Sequence, residues 1–173
     1  MPNITDAQFQ DLCDQYENYQ VEYTADGELL VMPLADPETS SRNLWIASEL
    51  MNWALPSGRG IVTESSGAFT LPNGARLCPD AAWISNERLD QNPTCPEFVV
   101  ELVTPTDLQE RIGAKMLEWI ANGALLGWMI NPRTRTVTIF RPNREPETLT
   151  GLTELAGEGP VQGFVLDLTR VWE

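Results

Sequence analysis

The segment Pro96-Glu97-Phe98-Val99-Val100-Glu101-Leu102-Val103-Thr104-Pro105 constrains this chain more than any other. Prolines bound it, and strand alternation sends Phe98, Val100 and Leu102 to one face and Val99, Glu101 and Val103 to the other. Both faces are apolar, which is the pattern of a central strand covered on both sides. Glu101 breaks the pattern. A carboxylate buried at such a position is costly unless it is paired, protonated or bound to a metal. The rest of the chain has to supply that partner.

The flanking sequence predicts the following order. Thr5 caps a first helix, with Gln8 at the capping-box position and Phe9, Leu12, Cys13 and Tyr16 on one face. A hairpin over residues 19–24 and 28–33 turns at Asp26-Gly27. Residues 36–41 read as a polar loop, and Ser40 or Ser41 starts a second helix to about Ala54, with Ile46, Leu50 and Trp53 on one stripe. Short strands are expected at 61–64, 68–71 and 80–84, with a turn at Pro72-Asn73-Gly74. Residues 85–95 form a loop before the central strand. Thr104-Pro105-Thr106-Asp107 starts a helix that runs to about Ala121 and stops at Asn122-Gly123. Strands at 128–130, 136–140 and 163–168 complete the chain. The expectation is one domain over residues 1–173, mixed α/β (α+β), with strands gathered centrally and helices flanking.

Of the 173 residues, 42% are hydrophobic and six are tryptophan, enough for a substantial core. No run of about 18 apolar residues is present, so no membrane partner is expected. The first residues lack the basic and apolar regions of a signal peptide, which points to the cytoplasm. Cys13, Cys78 and Cys95 are odd in number and widely spaced, so they are expected as reduced thiols.

The chain contains no histidine. That excludes Ser-His-Asp and Cys-His catalysis and leaves carboxylates, hydroxyls, lysine and metals that prefer oxygen. Ten of the eleven basic residues are arginine, and Lys115 is the only lysine. The net charge of −14 opposes nonspecific binding of a polyanion. Arg133, Arg135, Arg141 and Arg144, however, have no acidic residue among them. They form either a solvated hairpin or an edge that contacts phosphates.

Asp80 opens its strand and Glu101 lies near the end of the next. The connection of about eleven residues suits antiparallel pairing, which brings the two carboxylates to one edge of the sheet. On the following helix Ile112, Met116 and Trp119 form the buried stripe. Lys115 borders it and reaches inward. Two carboxylates and a lysine suit Mg²⁺ or Mn²⁺, with the ammonium as an electrophile or water-orienting group. If Lys115 is catalytic, Lys115→Ala is expected to lower turnover by roughly 10²–10³ while leaving metal affinity and folding nearly intact.

Pro79-Asp80 followed by Val99-Val100-Glu101-Leu102-Val103-Thr104-Pro105-Thr106-Asp107 resembles the PD-(D/E)XK nuclease superfamily. Lys115-Met116-Leu117-Glu118-Trp119-Ile120-Ala121-Asn122-Gly123-Ala124 and Leu126-Gly127-Trp128-Met129-Ile130-Asn131-Pro132 narrow the resemblance to the Uma-two family of restriction-endonuclease-like proteins. Glu38-Thr39, Arg42-Asn43, Leu71-Pro72-Asn73-Gly74 and Gly163-Phe164-Val165-Leu166-Asp167-Leu168 agree with it, over nearly the whole chain. The resemblance implies a restriction-endonuclease-like fold, a central mixed β-sheet flanked by helices, and metal-dependent hydrolysis of DNA phosphodiesters. It implies that Asp80, Glu101 and the Leu102 carbonyl hold Mg²⁺ or Mn²⁺, with Glu38 and Glu64 as candidate additional acids. Two positions depart from the pattern. Val103 stands where the superfamily has its lysine, a role the resemblance moves to Lys115. Asn131 stands where the family has aspartate, with an effect expected on a turn only. Two alternatives remain beside the DNA endonuclease: a non-catalytic nuclease-fold binding module, and a hydrolase of another phosphoester. A homodimer is compatible with apolar surplus such as Trp172.

Overall fold

A computed structural model describes residues 4–105 and 109–173. In chain order the elements are α1 (Asp6–Gln15), β1 (Tyr19–Tyr23), β2 (Leu29–Pro33), α2 (Pro37–Ala54), β3 (Gly60–Glu64), β4 (Phe69–Thr70), β5 (Arg76–Leu77), β6 (Ala81–Ser85), α3 (Asn86–Leu89), β7 (Phe98–Leu102), α4 (Gln109–Ala121), β8 (Leu126–Asn131), β9 (Thr136–Phe140), β10 (Glu147–Thr150), β11 (Glu154–Ala156), β12 (Val165–Asp167) and α5 (Thr169–Trp172).

The main sheet runs β10-β9-β8-β7-β6-β3, with β7 and β8 parallel and the other neighbours antiparallel. The strand that carries Glu101 is therefore central, as its two apolar faces require. Phe98, Val100 and Leu102 join one core cluster with Ile46, Leu50, Trp128 and Phe164. Val99 and Val103 join a second with Met116 and Trp119. Thus α2 and the β11–β12 hairpin cover one face and α4 the other. Trp128 and Phe164 stack with ring centroids 5.8 Å apart, and Phe98 meets Trp128 edge-on at 4.8 Å.

Helix α4 packs on β8, with the Met116 methyl seated over Gly127. A Cβ built there would come within 2.3 Å of the Met116 Cε. On the same face a smaller sheet, β2-β1-β5-β4, stands beside the main one. Its β5 leads through Cys78 and Pro79 directly into β6, so the two sheets meet at the end of the main sheet where Asp80 lies.

The capping box of α1 forms as expected: Gln8 N donates to Thr5 Oγ1, and Thr5 N to Gln8 Oε1. The hairpin β1–β2 and strand β9 also match. Helix α2 begins earlier than expected. Asp36 is its N-cap and accepts from Glu38 N and Thr39 N, with Pro37 in the first turn. The polar run had masked a helix start, because Asp, Pro and Glu favour both loops and first helical turns. Residues 85–95 contain the short α3, capped by Ser85. Strands β5, β10 and β11 were not anticipated, because two- to four-residue strands carry too little alternation to register. The expected capping acid before α4, Asp107, lies outside the described residues. Cys78 and Cys95 are buried free thiols, and Cys13 is half-buried and free. Among the described residues, no helix is long and apolar enough to cross a membrane.

Candidate functional site

Strands β6 and β7 pair antiparallel with Ala81 opposite Val100. One step further along that register sets Asp80 opposite Glu101. Leu102 N donates to Asp80 Oδ2 at 2.7 Å, which ties the half-buried Asp80 to the end of β7. From the other side Asn43, on α2, donates from Nδ2 to Asp80 Oδ1 at 2.8 Å.

Glu101 is only 3% exposed. Its Oε1 accepts from Lys115 Nζ at 2.8 Å and from Trp119 Nε1 at 3.0 Å, both on α4. Lys115 Nζ also reaches Glu22 Oε1 at 2.7 Å and donates to the Cys78 carbonyl at 2.7 Å. All three ammonium hydrogens are thus engaged. Glu22, on β1, is itself buried and accepts from Cys78 N at 2.9 Å.

The electrostatics follow from this packing. Burial pushes the Glu101 carboxyl up, to about 8; Lys115 opposes the rise, and the charges of Asp80 and Glu22 add to it. Burial works against the Lys115 ammonium too, but Glu101 and Glu22 outweigh it and hold Lys115 above its ordinary range. Burial, with Glu22 adding, pushes the Cys78 thiol up to about 12, so it is no thiolate nucleophile.

The structure brings together Asp80, Glu101 and Lys115, three residues separated by 35 positions. It does not bring Glu38 and Glu64 into that contact network. Glu38 lies in the first turn of α2, exposed, and pairs with Arg42 at 2.5 Å. Glu64 ends β3 opposite Ala81, exposed, and accepts from the Ser65 and Ser66 hydroxyls. Those bonds, Ser66 foremost, hold its carboxyl below the ordinary range. Asn131, the last residue of β8, shapes the turn that follows, with Oδ1 accepting from Arg133 N and Thr134 N, but it also donates to Gln109 Oε1 on α4, so its role is not confined to the turn.

Sequence reasoning missed Glu22 and Asn43. Glu22 gave no signal, since an acid on a two-stranded hairpin reads as solvated. Asn43 did give one. It continues the buried stripe of Ile46 and Leu50 by one turn backwards, with Thr39 a further turn back, and all four are buried. An asparagine on the inward face of a helix asks for a partner.

The residues present fit a divalent cation. Lys115 is the one ammonium beside Glu22 and Glu101, and the charge of Asp80 adds to the repulsion at Glu101, an excess of acid that a cation would relieve. Asn43 Oδ1 is buried beside Asp80 with no hydrogen-bond partner, an acceptor placed for an ion or its water. All the donors are oxygens, as Mg²⁺ and Mn²⁺ prefer. Among the described residues no group of three or more acidic or cysteine side chains is set to hold an ion. The candidate set is two carboxylates and main chain.

A mixed sheet with one parallel pair and helices on both faces agrees with the restriction-endonuclease-like fold that the resemblance implied. The chain belongs to the Uma2 family, described as "Putative restriction endonuclease", whose model matches residues 6–169. The fold is similar to the crystal structure of a "putative nuclease belonging to DUF820" from Anabaena variabilis, with a TM-score of 0.76 and 18% identity. That match covers 88% of this chain and 89% of the other. No curated protein matches the sequence.

Proposed function

We propose that this protein is a metal-dependent endonuclease that hydrolyses phosphodiester bonds in DNA. The observation that carries the reading is the convergence of Asp80, Glu101 and Lys115 on one sheet end, beside the orphaned Asn43 Oδ1. Family membership and the fold of the Anabaena protein support it. Asp80, Glu101 and the Leu102 carbonyl would hold Mg²⁺ or Mn²⁺. When bound, such an ion supplies a more acidic water and positive charge for the phosphate oxygens. Asn43 and Leu102 N fix the direction of the Asp80 carboxylate. Lys115 draws Glu101 toward its ionised form against the effect of burial, and its ammonium offers a positive charge to a phosphate that draws it from Glu22. Trp119 holds Glu101 Oε1 in place and keeps water from that side.

One observation favours a second reading, a nuclease fold retained as a non-catalytic binding module. Lys115 is already saturated by Glu22, Glu101 and the Cys78 carbonyl, an arrangement that also suffices as a structural ion cluster. The two readings separate on incubation of plasmid and single-stranded DNA with purified protein and Mg²⁺ or Mn²⁺. The endonuclease reading expects metal-dependent cutting that Glu101→Gln abolishes. No cutting by wild type with either metal, or equal cutting by Glu101→Gln, would favour the binding module.

A further inference from the structure

A cleft of about 380 Å³ opens at the C-terminal ends of β7 and β8, beside the carboxylates. Its floor is the exit of β7 from Leu102 to Pro105, one wall is the first turns of α2, and the other is the turn between β8 and β9. Leu102 belongs to both places: it lines the cleft, and its N–H holds Asp80. Asp80 does not itself line the cleft but lies one hydrogen bond from its floor, within reach of the next phosphate of a strand held there.

Three arginines line it: Arg42, Arg133 and Arg135. Arg42 is committed within the protein, with Nε donating to the Val171 carbonyl at 2.9 Å and a salt bridge to Glu38. Arg133 and Arg135 are exposed and have no ion-pair partner among the described residues. Their turn is built rather than loose. Asn131, buried, accepts from two of its N–H groups and donates to Gln109 Oε1 at 3.1 Å. Arg135 sits at φ 52°, a left-handed backbone that glycine or asparagine adopts more readily. The chain thus keeps an arginine where local sterics favour another residue, and the wall of this cleft is where strain of that kind has a use.

The whole-molecule charge of −14 repels a polyanion, and that repulsion is screened beyond about 10 Å at 0.1 M salt. Affinity for a strand has to come from short-range contacts, for which paired guanidinium groups are suited. The other two members of the basic run are placed elsewhere. Arg141 is bound to Glu147 and Glu158, and Arg144 is on the far β9–β10 turn, outside the cleft.

We propose that Arg133 and Arg135 form a phosphate-binding arm that holds the backbone of a nucleic-acid strand next to the phosphodiester at Asp80 and Glu101. The inference rests on the nuclease reading and adds the track of the strand. A cleft of about 380 Å³ has room for a short stretch of one strand's backbone rather than a duplex, so the proposed ligand class is single-stranded DNA, or one strand at an end or flap.

The test measures binding of a fluorescein-labelled single-stranded DNA oligonucleotide by anisotropy, with Ca²⁺ replacing Mg²⁺, across a range of salt. Arg133→Ala combined with Arg135→Gly removes both charges, and glycine suits the left-handed backbone, so the thermal midpoint should hold. Affinity is expected to fall by at least about 10-fold, and the log–log salt slope to shrink by about 1.4, at ~0.7 per phosphate contact. Arg144→Ala should leave both unchanged. A double variant that binds like wild type with the same slope overturns the proposal, as does an equal loss in Arg144→Ala. Binding that depends on the arginine pair in a protein that cuts nothing upholds the arm and overturns the nuclease reading. A wild type that binds no oligonucleotide overturns the arm, whatever it cuts.

Discussion

Two places in this molecule set one cation between two carboxylates. At the end of the main sheet Lys115 bridges Glu22 and Glu101. On the outer strands Arg141 bridges Glu147 and Glu158. The charge pattern is the same, and the surroundings differ. The acid side chains of the first cluster are 2% and 4% exposed, those of the second 54% and 48%. In water the second pattern costs little to assemble and contributes little. In the protein interior each charge depends on the others, and the spare negative charge has nowhere to go except into a proton or a cation. Burial makes the charges of one cluster interdependent and leaves the other a surface ion pair.

The largest effect that tests this contrast is loss of Lys115. Lys115→Ala leaves Glu22 and Glu101 buried without a counter-charge and should cost roughly 3–5 kcal/mol of stability, read from urea denaturation. The burial of Lys115 between two carboxylates argues against the expectation that its loss leaves folding nearly intact. The gentler Lys115→Arg should keep the fold and lower any metal-dependent turnover by roughly 10²–10³, because a planar guanidinium cannot meet three acceptors arranged around one nitrogen. Near-wild-type stability of Lys115→Ala would show that the cluster is as slack as the one at Arg141.

Glu101→Gln should act on the ion rather than on the fold. Its amide oxygen still accepts from Lys115 and Trp119, and Glu22 still balances Lys115. Mn²⁺ affinity should fall by at least roughly 10-fold, the lower end for loss of even an outer-shell partner, while the denaturation midpoint stays close to wild type. Unchanged Mn²⁺ affinity by calorimetry would remove Glu101 from the metal set.

On the exposed side of the comparison, Arg141→Ala should change stability by about 0–1 kcal/mol, and that small change should shrink further in high salt. A loss of the size expected for Lys115→Ala would dissolve the distinction between the clusters.

The smallest effect concerns the cap of α2. Bonds from Thr39, first its N–H and then its hydroxyl, hold the Asp36 carboxyl below its ordinary 3.8. The folded state therefore binds its proton less tightly than the unfolded chain. The resulting stability is present above 3.8 and is lost as the pH falls through the lower folded value. Asp36→Asn keeps the cap and removes the titration, so the variant should lose less stability than wild type between pH 5 and pH 2. Parallel pH profiles for the two proteins would refute the assignment.

By itself the sequence determined the central strand, its two faces and the anomaly of Glu101, because alternation over six residues records which side chains are buried. It also determined Asp80 as the antiparallel neighbour and Lys115 at the rim of the helical stripe, since connection length and helical period are local quantities. Only the tertiary structure decided the rest. Glu22 lies 79 residues before Glu101 on a hairpin of the smaller sheet, and nothing in its neighbours distinguishes it from a solvated acid. The start of α2 was hidden by residues that serve loops and helix caps equally. The split of the basic run into Arg133 and Arg135 in a cleft, and Arg141 in a surface ion pair, depended on where Glu147 and Glu158 came to rest. Local pattern fixes the face and the span of an element. Which distant charges meet, and whether water stands between them, is fixed by packing alone.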